Sequence, residues 1–221
     1  MIKTLALIHT SPVLIPLFTQ LAGEYLPGVN VFHMVDESLI KNTMAAGGLT
    51  KATSRRVLSL LESAQHAGAE AAMVTCSSIG QAVSLSRSFI DIPVFRIDEA
   101  MAEEAIAKGQ RIGVAATLRT TLDPTLELLK ATARRGEKTI ETIPCLCEGA
   151  FEAVISGQTD RHDQMVTEAL RKLVEKVDVV VLAQASMARV LTSFPAHGTP
   201  ILTSPRLAME SARRQLGLEA K

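Results

Sequence analysis

Short apolar runs alternate along this chain with longer stretches in which apolar residues recur every third or fourth position. The runs at Ile2–Ile8, Val29–Met34, Glu70–Thr75 and Pro93–Ile97 read as strands. A second set follows at Arg111–Ala116, Thr139–Ile143, Asp178–Ala183 and Pro200–Thr203. Between them lie helical patterns. In Thr50–Gly68, the residues Val57, Leu61, Ala64 and Gly68 share one face, and the closing glycine suits a C-terminal cap. In Thr159–Val177 the pairs Met165/Val166, Ala169/Leu170 and Leu173/Val174 mark one apolar face. Strand and helix alternating in this way predict an α/β fold, with parallel sheets covered by helices on both faces.

The second set repeats the first. A shift of 109 places Thr50 on Thr159, Val57 on Val166, Leu61 on Leu170 and Cys76 on Ala185. From helix cap to strand end each half then takes 26 residues without a gap, and Pro93 meets Pro200 at a shift of 107. That spacing exceeds the roughly 20–50 residues of a solenoid repeat. The reading is a duplicated domain: two pseudo-symmetric units, each a four-stranded parallel sheet flanked by helices. The first spans 1–97 and takes back a C-terminal helix within 204–221; the second spans 98–203.

In open α/β sheets, ligands bind outside the carboxyl ends of the strands. Four polar segments fall there. His9-Thr10-Ser11-Pro12 follows the first strand, with Ser11 placed as a helix cap and Pro12 as the first helical residue. Cys76-Ser77-Ser78-Ile79-Gly80, Thr117-Leu118-Arg119-Thr120 and Gln184-Ala185-Ser186-Met187 follow three others. Hydroxyls and backbone N–H groups at helix starts make ready anion sites. A small carboxylate held between the two halves suits them.

Two readings of Cys76 stand side by side. It is either a small buried hydrophobe at a strand end or a thiolate stabilised at a helix N-terminus. Cys145 and Cys147 are spaced C-x-C, which lacks the paired spacing of a structural zinc site, and read as structural. His9 is placed to contact a ligand, whereas His66 and His162 read as solvated and Met187 as ordinary packing. No metal-binding histidine spacing, G-x-G-x-x-G or P-loop occurs, so neither a metal nor a nucleotide cofactor is indicated.

Composition narrows the function further. Among the 221 residues, 23 Lys and Arg balance 23 Asp and Glu, which argues against a phosphate-backbone binder. Aromatics are 3%, too few for a single-stranded nucleic-acid platform. Three cysteines do not read as a disulfide framework and fit a reducing cytoplasm. The uncharged stretch Thr4 to Gly23 superficially resembles a signal peptide, but His9-Thr10-Ser11-Pro12 interrupts it, and strand, loop and helix is the better reading. No membrane partner is expected; a homo-oligomer is compatible.

Two duplicated α/β halves, Thr75-Cys76-Ser77-Ser78 after one strand, and an A-T-x-x-T segment from Ala116 to Thr120 resemble the aspartate/glutamate/hydantoin racemase superfamily. The resemblance covers essentially the whole chain. It implies an active site in the cleft between the domains, where two cysteines exchange protons on opposite faces of the substrate's α-carbon without metal or pyridoxal. The first family cysteine matches Cys76. The second falls on Ala185, so the chain departs from the pattern at a residue that the two-base mechanism requires. Arylmalonate decarboxylases in the family also carry one cysteine, resembling that of the second half; this chain is the mirror arrangement. Racemases of free amino acids often have Cys-Asn-Thr where this chain has Cys76-Ser77-Ser78.

The expectation is therefore a cofactor-independent racemase or isomerase of a small carboxylate, with Cys76 moving the proton. Ser77, Ser78, Thr117, Thr120 and Ser186 would hold carboxylate oxygens, Gln184 and Ala185 would form a wall, and His9, Thr10 and Ser11 would close the rim. The alternatives are a lyase passing through the same enediolate and a carboxylate-binding protein without turnover.

Overall fold

The computed structural model describes residues 4–218. Ile2 and Lys3 of the first expected strand, and 219–221 of the expected C-terminal segment, lie outside the described residues. The chain forms two compact units, one of residues 4–99 with 205–218 and the other of 100–204.

The first unit contains β1 (Thr4–His9), α1 (Ile15–Tyr25), β2 (Asn30–Val35), α2 (Glu37–Ala45), α3 (Lys51–His66), β3 (Ala71–Val74), α4 (Gly80–Ser86) and β4 (Val94–Arg96). The second contains α5 (Glu99–Lys108), whose first residue closes the first unit, then β5 (Arg111–Ala116), α6 (Arg119–Arg135), β6 (Glu141–Leu146), α7 (Ala150–Ile155), α8 (Thr159–Val174), β7 (Val179–Leu182) and β8 (Ile201–Thr203). Helix α9 (Ser204–Gln215) returns to the first unit. All strand pairs are parallel, in the orders β2-β1-β3-β4 and β6-β5-β7-β8. The two units thus share one topology.

Period-two alternation makes the central strand β1 serve two cores. Leu5 and Leu7 pack with Phe18 and Leu21 of α1 and with Met209 of α9. Ala6 and Ile8 point to the other face, against Val57 and Leu61 of α3 and Ile79. In the second unit Ala115, Val180 and Leu182 meet Val166, Leu170 and Leu173 of α8. Helix α3 begins where Thr50 accepts a hydrogen bond from the Thr53 N–H at 3.1 Å, a cap that satisfies one orphan donor. It ends before Gly68, whose φ of +90° is open to glycine but strained for other residues. Helix α8 stops at Val174, three residues short of the expected end.

Most strands lie within a residue of their expected bounds at each described end, and β6 departs furthest. β6 runs on through Pro144 to Leu146 rather than ending at Ile143. It lies at the sheet edge, paired only with β5, and an edge strand tolerates a residue with no N–H to give. The extension carries Cys145 into the strand.

The paired faces of α3 and α8 set a stability test. Leu61 and Leu170 are fully buried, and Leu61→Ala or Leu170→Ala should each cost roughly 2–5 kcal/mol. The measurement is the shift of the urea midpoint; a change below about 1 kcal/mol would place these side chains outside the core.

Candidate functional site

At the carboxyl end of β3, Cys76 leaves the strand in extended conformation and caps a short 3-10 turn, Ser77–Ile79. The Thr10 hydroxyl, the Ser78 N–H and hydroxyl, and the Ile79 N–H surround its sulfur and favour its charged form, although the side chain makes no capping hydrogen bond to the turn. Cys76 keeps partial solvent exposure, whereas Thr10, Ser77 and Ser78 are buried. Burial pushes the Cys76 thiol up, and the surrounding donors oppose that shift without overcoming it. The group is therefore a neutral thiol at rest. A thiolate produced simply by sitting at a helix start is not what the structure shows.

A buried ion pair braces this turn from below. Arg96 donates from Nε to Asp98 Oδ1 at 3.0 Å and from Nη2 to Oδ2 at 2.9 Å, and from Nη1 to Ser84 Oγ at 3.0 Å. A Cβ at Gly80 would lie 2.5 Å from Arg96 Nη2. Because the guanidinium is held bidentately, it has little room to yield, and only glycine fits at the start of α4.

His9 lies differently from its expected place on a ligand rim. It is fully buried, and both ring nitrogens are engaged. Thr19 donates its hydroxyl to Ile15 O at 2.9 Å and so accepts from His33 Nε2 at 3.0 Å. His33 Nδ1 lies 2.9 Å from His9 Nε2, and His9 Nδ1 lies 2.8 Å from Thr75 Oγ1, whose hydroxyl also reaches Ile8 O at 3.2 Å. Threonine hydroxyls thus close both ends of the histidine chain. Burial, then the neighbouring His33, lowers the His9 pKa from 6.5 to about 4, and burial lowers that of His33. His9 adjoins Thr10 and Thr75 adjoins Cys76, so the His9–Thr75 contact ties the two strand ends together. Ser11 caps the turn Pro12–Leu14 by position, yet its side chain makes no capping hydrogen bond.

The second unit repeats the construction. Gln184 caps the 3-10 segment Ala185–Thr192 as Cys76 caps its own turn. The Thr75 N–H donates to Ile8 O and the Ala183 N–H to Ala115 O, each at 2.9 Å. This ladder aligns Cys76 with Gln184, correcting the expected match to Ala185. The buried faces of α3 and α8 keep the 109 spacing, but the strands follow at 108, so the 26-residue match is not gapless. Thr117 donates its N–H to Gln184 Oε1 at 2.6 Å and its hydroxyl at 3.0 Å. Thr117 on Gln184 is the counterpart of Thr10 on Cys76.

The remaining candidates scatter by exposure. Ala185 is half-buried and Ser186 exposed. Thr120 Oγ1 is buried with no hydrogen-bond partner among the described residues, which leaves it an unmet polar group of the kind a ligand oxygen satisfies. Met187 is fully buried in the core of the second unit. His162 is buried rather than solvated: it lies on the inward face of α8, with Nδ1 on Asp163 Oδ1 at 2.7 Å. His66 is exposed. Among the described residues no three His, Cys, Asp or Glu side chains converge as a metal ligand set. Among them also, no helix is long and apolar enough to cross a membrane.

Two parallel α/β units with polar strand ends define an open-sheet protein with candidate ligand sites where its strands end. The chain belongs to the Asp/Glu/hydantoin racemase family, whose model matches residues 11–212, and is an enzyme of that class. Solved structures with the same fold include a glutamate racemase from Bacillus anthracis (15% identity, TM-score 0.73, covering 99% of this chain and 84% of that one). An allantoin racemase from Klebsiella pneumoniae shares 14% identity at TM-score 0.70, covering 99% and 90%. An aspartate racemase from Picrophilus torridus shares 12% at TM-score 0.71, covering 99% and 96%. No curated protein matches the chain in sequence.

The histidine chain sets a pH dependence. With its folded pKa depressed, His9 binds fewer protons in the native than in the unfolded state between pH 6.5 and about 4. Stability should fall as pH drops through that window, and the slope should flatten in His9→Asn. Urea unfolding at several pH values reads it; an unchanged slope in the variant would assign the effect elsewhere. Thr10→Val removes one of the hydrogen bonds that favour the Cys76 thiolate. Iodoacetamide labelling of Cys76 near pH 8 should slow by about tenfold, as expected for roughly 1.5 kcal/mol from one bond to a charged sulfur. Equal rates would show that Thr10 does not act on the sulfur.

Proposed function

We infer that the protein moves a proton at the carbon next to the carboxylate of a small acid, with Cys76 as the transferring group and no organic or metal cofactor. The observation that carries this reading is the placement of Cys76 at a strand end, where hydroxyl and N–H groups of Thr10, Ser78 and Ile79 surround its sulfur. Those donors favour the thiolate once its proton leaves, so the thiol can give up and regain a proton at little cost beyond its burial. Ser77 stands beside it to take a carboxylate oxygen, and the Ser78 hydroxyl can turn from the sulfur to the substrate when the thiol is neutral. In the second unit Thr117, Gln184 and Ser186 present polar atoms at the equivalent strand end, and Thr120 an unmet hydroxyl. The known neighbours are racemases of aspartate, glutamate and allantoin; the acid this chain acts on is of that size and carries a carboxylate or a close analogue. Free cysteines throughout the described structure support a reducing compartment, the cytoplasm.

One observation favours a second reading. The position equivalent to Cys76 holds Gln184, whose carboxamide neither accepts nor delivers a proton near neutral pH. A single thiol that starts neutral suits delivery of a proton to one face of an enediolate, the final step of a decarboxylase-type lyase. Racemisation by this chain would need another group in the second thiol's place.

The test is incubation with a panel of chiral amino and hydroxy acids and disubstituted malonates in deuterium oxide. α-Deuteration with loss of optical rotation marks the isomerase; loss of carbon dioxide with one deuteron gained marks the lyase. Cys76→Ser should lower either rate by at least about a hundredfold while the melting temperature holds within a few degrees. Turnover retained in that variant would remove Cys76 from the mechanism. Ligand-dependent melting shifts with no exchange and no mass change would make the protein a binder.

A further inference from the structure

Cys145 and Cys147 play no part in the chemistry above, and the structure gives them surroundings of their own. They stand two residues apart at the end of β6, an edge strand, so their side chains leave the same face. The two thiols interact directly with one another. Both line an open cavity of about 410 Å³ on the second unit, within the size range of small-molecule sites. Its rim carries Glu148 from the loop after β6, Glu168 and Lys172 from α8, and Lys176 just beyond that helix. Cys145 is partly exposed, and Cys147 is buried behind it. Two cations and two anions around a dithiol suit a molecule that carries both carboxylate and ammonium groups.

We propose that Cys145 and Cys147 form a thiol–disulfide exchange site for small zwitterionic disulfides, with Cys145 as the attacking sulfur and Cys147 as the resolving one. The Cys147 thiol donates to the Cys145 sulfur, and Lys176 adds its charge; together they bring the Cys145 pKa down to about 7 and hold that of Cys147 up. The Cys145 thiolate attacks one sulfur of the incoming disulfide. That S–S bond breaks, a mixed disulfide forms on Cys145, and the departing thiolate takes a proton from water. Capping Cys145 removes the negative sulfur that held the Cys147 proton. Cys147 then loses it to water, attacks Cys145 Sγ and expels the second thiol. The external disulfide is reduced to two thiols and the protein dithiol is oxidised by two electrons. Extended residues two apart have Cα atoms about 6.6 Å apart, near the upper limit for a disulfide. Such a bond is strained and readily reduced, which makes the exchange reversible.

The probe is oxidised glutathione added to the intact protein near pH 7, with acid quenching and tandem mass mapping of Cys76, Cys145 and Cys147. The wild type should lose two hydrogens, and the peptide bearing both cysteines should carry the internal disulfide. Cys147→Ser should instead accumulate one glutathionyl group on Cys145, with Cys147→Ala serving if the serine variant does not fold. Cys145→Ser should leave Cys147 unmodified over the same time. Lys176→Gln should move the pH midpoint of Cys145 labelling upward by about half a unit or more. Modification of Cys147 in Cys145→Ser as fast as that of Cys145 in Cys147→Ser would overturn the proposal. So would Cys145 labelling no faster than Cys76, or a pH midpoint indifferent to Lys176.

Discussion

Parallel pairing of the third strand of each unit with the first is the constraint from which the site follows. Neighbouring strands in a sheet lie about 4.8 Å apart, so the residues that leave two paired strands at the same level emerge as neighbours. In the first unit that brings Thr10, just past β1, onto Cys76, just past β3. In the second it brings Thr117 onto Gln184 by the same rule. The loops need no special geometry to form this contact. They inherit it from the ladder, and the ladder is held in register by β1 and β3 side chains that are nearly all fully buried.

Burial that holds the register also acts on the chemistry. The cores on both faces of β1 leave His9, Thr75 and the Cys76 turn in surroundings that disfavour charge, and the protein meets their polar atoms with one another. The His9–His33 pair is kept neutral and used as a hydrogen-bonded brace. The one buried guanidinium beneath the Cys76 turn is matched bidentately by Asp98, the arrangement in which desolvated charges are tolerated. Cys76 sits between these influences. Its donors favour thiolate, its burial favours thiol, and burial prevails. At Cys145 the balance runs the other way, because a second thiol and a lysine stand close and burial is less complete.

Much of this architecture was legible in the residues. Alternating apolar runs and helical faces announced two parallel α/β sheets, and Arg111–Ala116 is a strand with the bounds its pattern set. The polar segments at four strand ends were legible for the same reason: an apolar run that stops on Thr-Cys-Ser-Ser or Ala-Thr has reached the edge of its sheet. The register between the halves was not. Helix faces repeat with a phase that a sequence displays, and Val57 with Val166 gave a spacing of 109. The run Val179–Leu182 is apolar at every position, so nothing within it marks which residue pairs with which. Only the hydrogen bonds of the ladder show that the strands follow at 108 and that Gln184, not Ala185, stands where Cys76 does.

Side-chain environment was the other thing that the chain could not announce. His9 beside a strand end reads as a ligand contact until β2 is laid alongside β1 and supplies His33 to its free nitrogen. His162 reads as a helix-start residue until α8 turns it inward. Cys145 and Cys147 read as inert until an edge strand runs through Pro144 and a helix from elsewhere in the chain brings lysines to them. Local pattern determined the elements, their order and the places where chemistry can sit, because backbone periodicity is written in neighbouring residues. Which groups are charged, braced or exposed was decided by tertiary structure, because desolvation and hydrogen bonding depend on side chains brought together from distant parts of the chain.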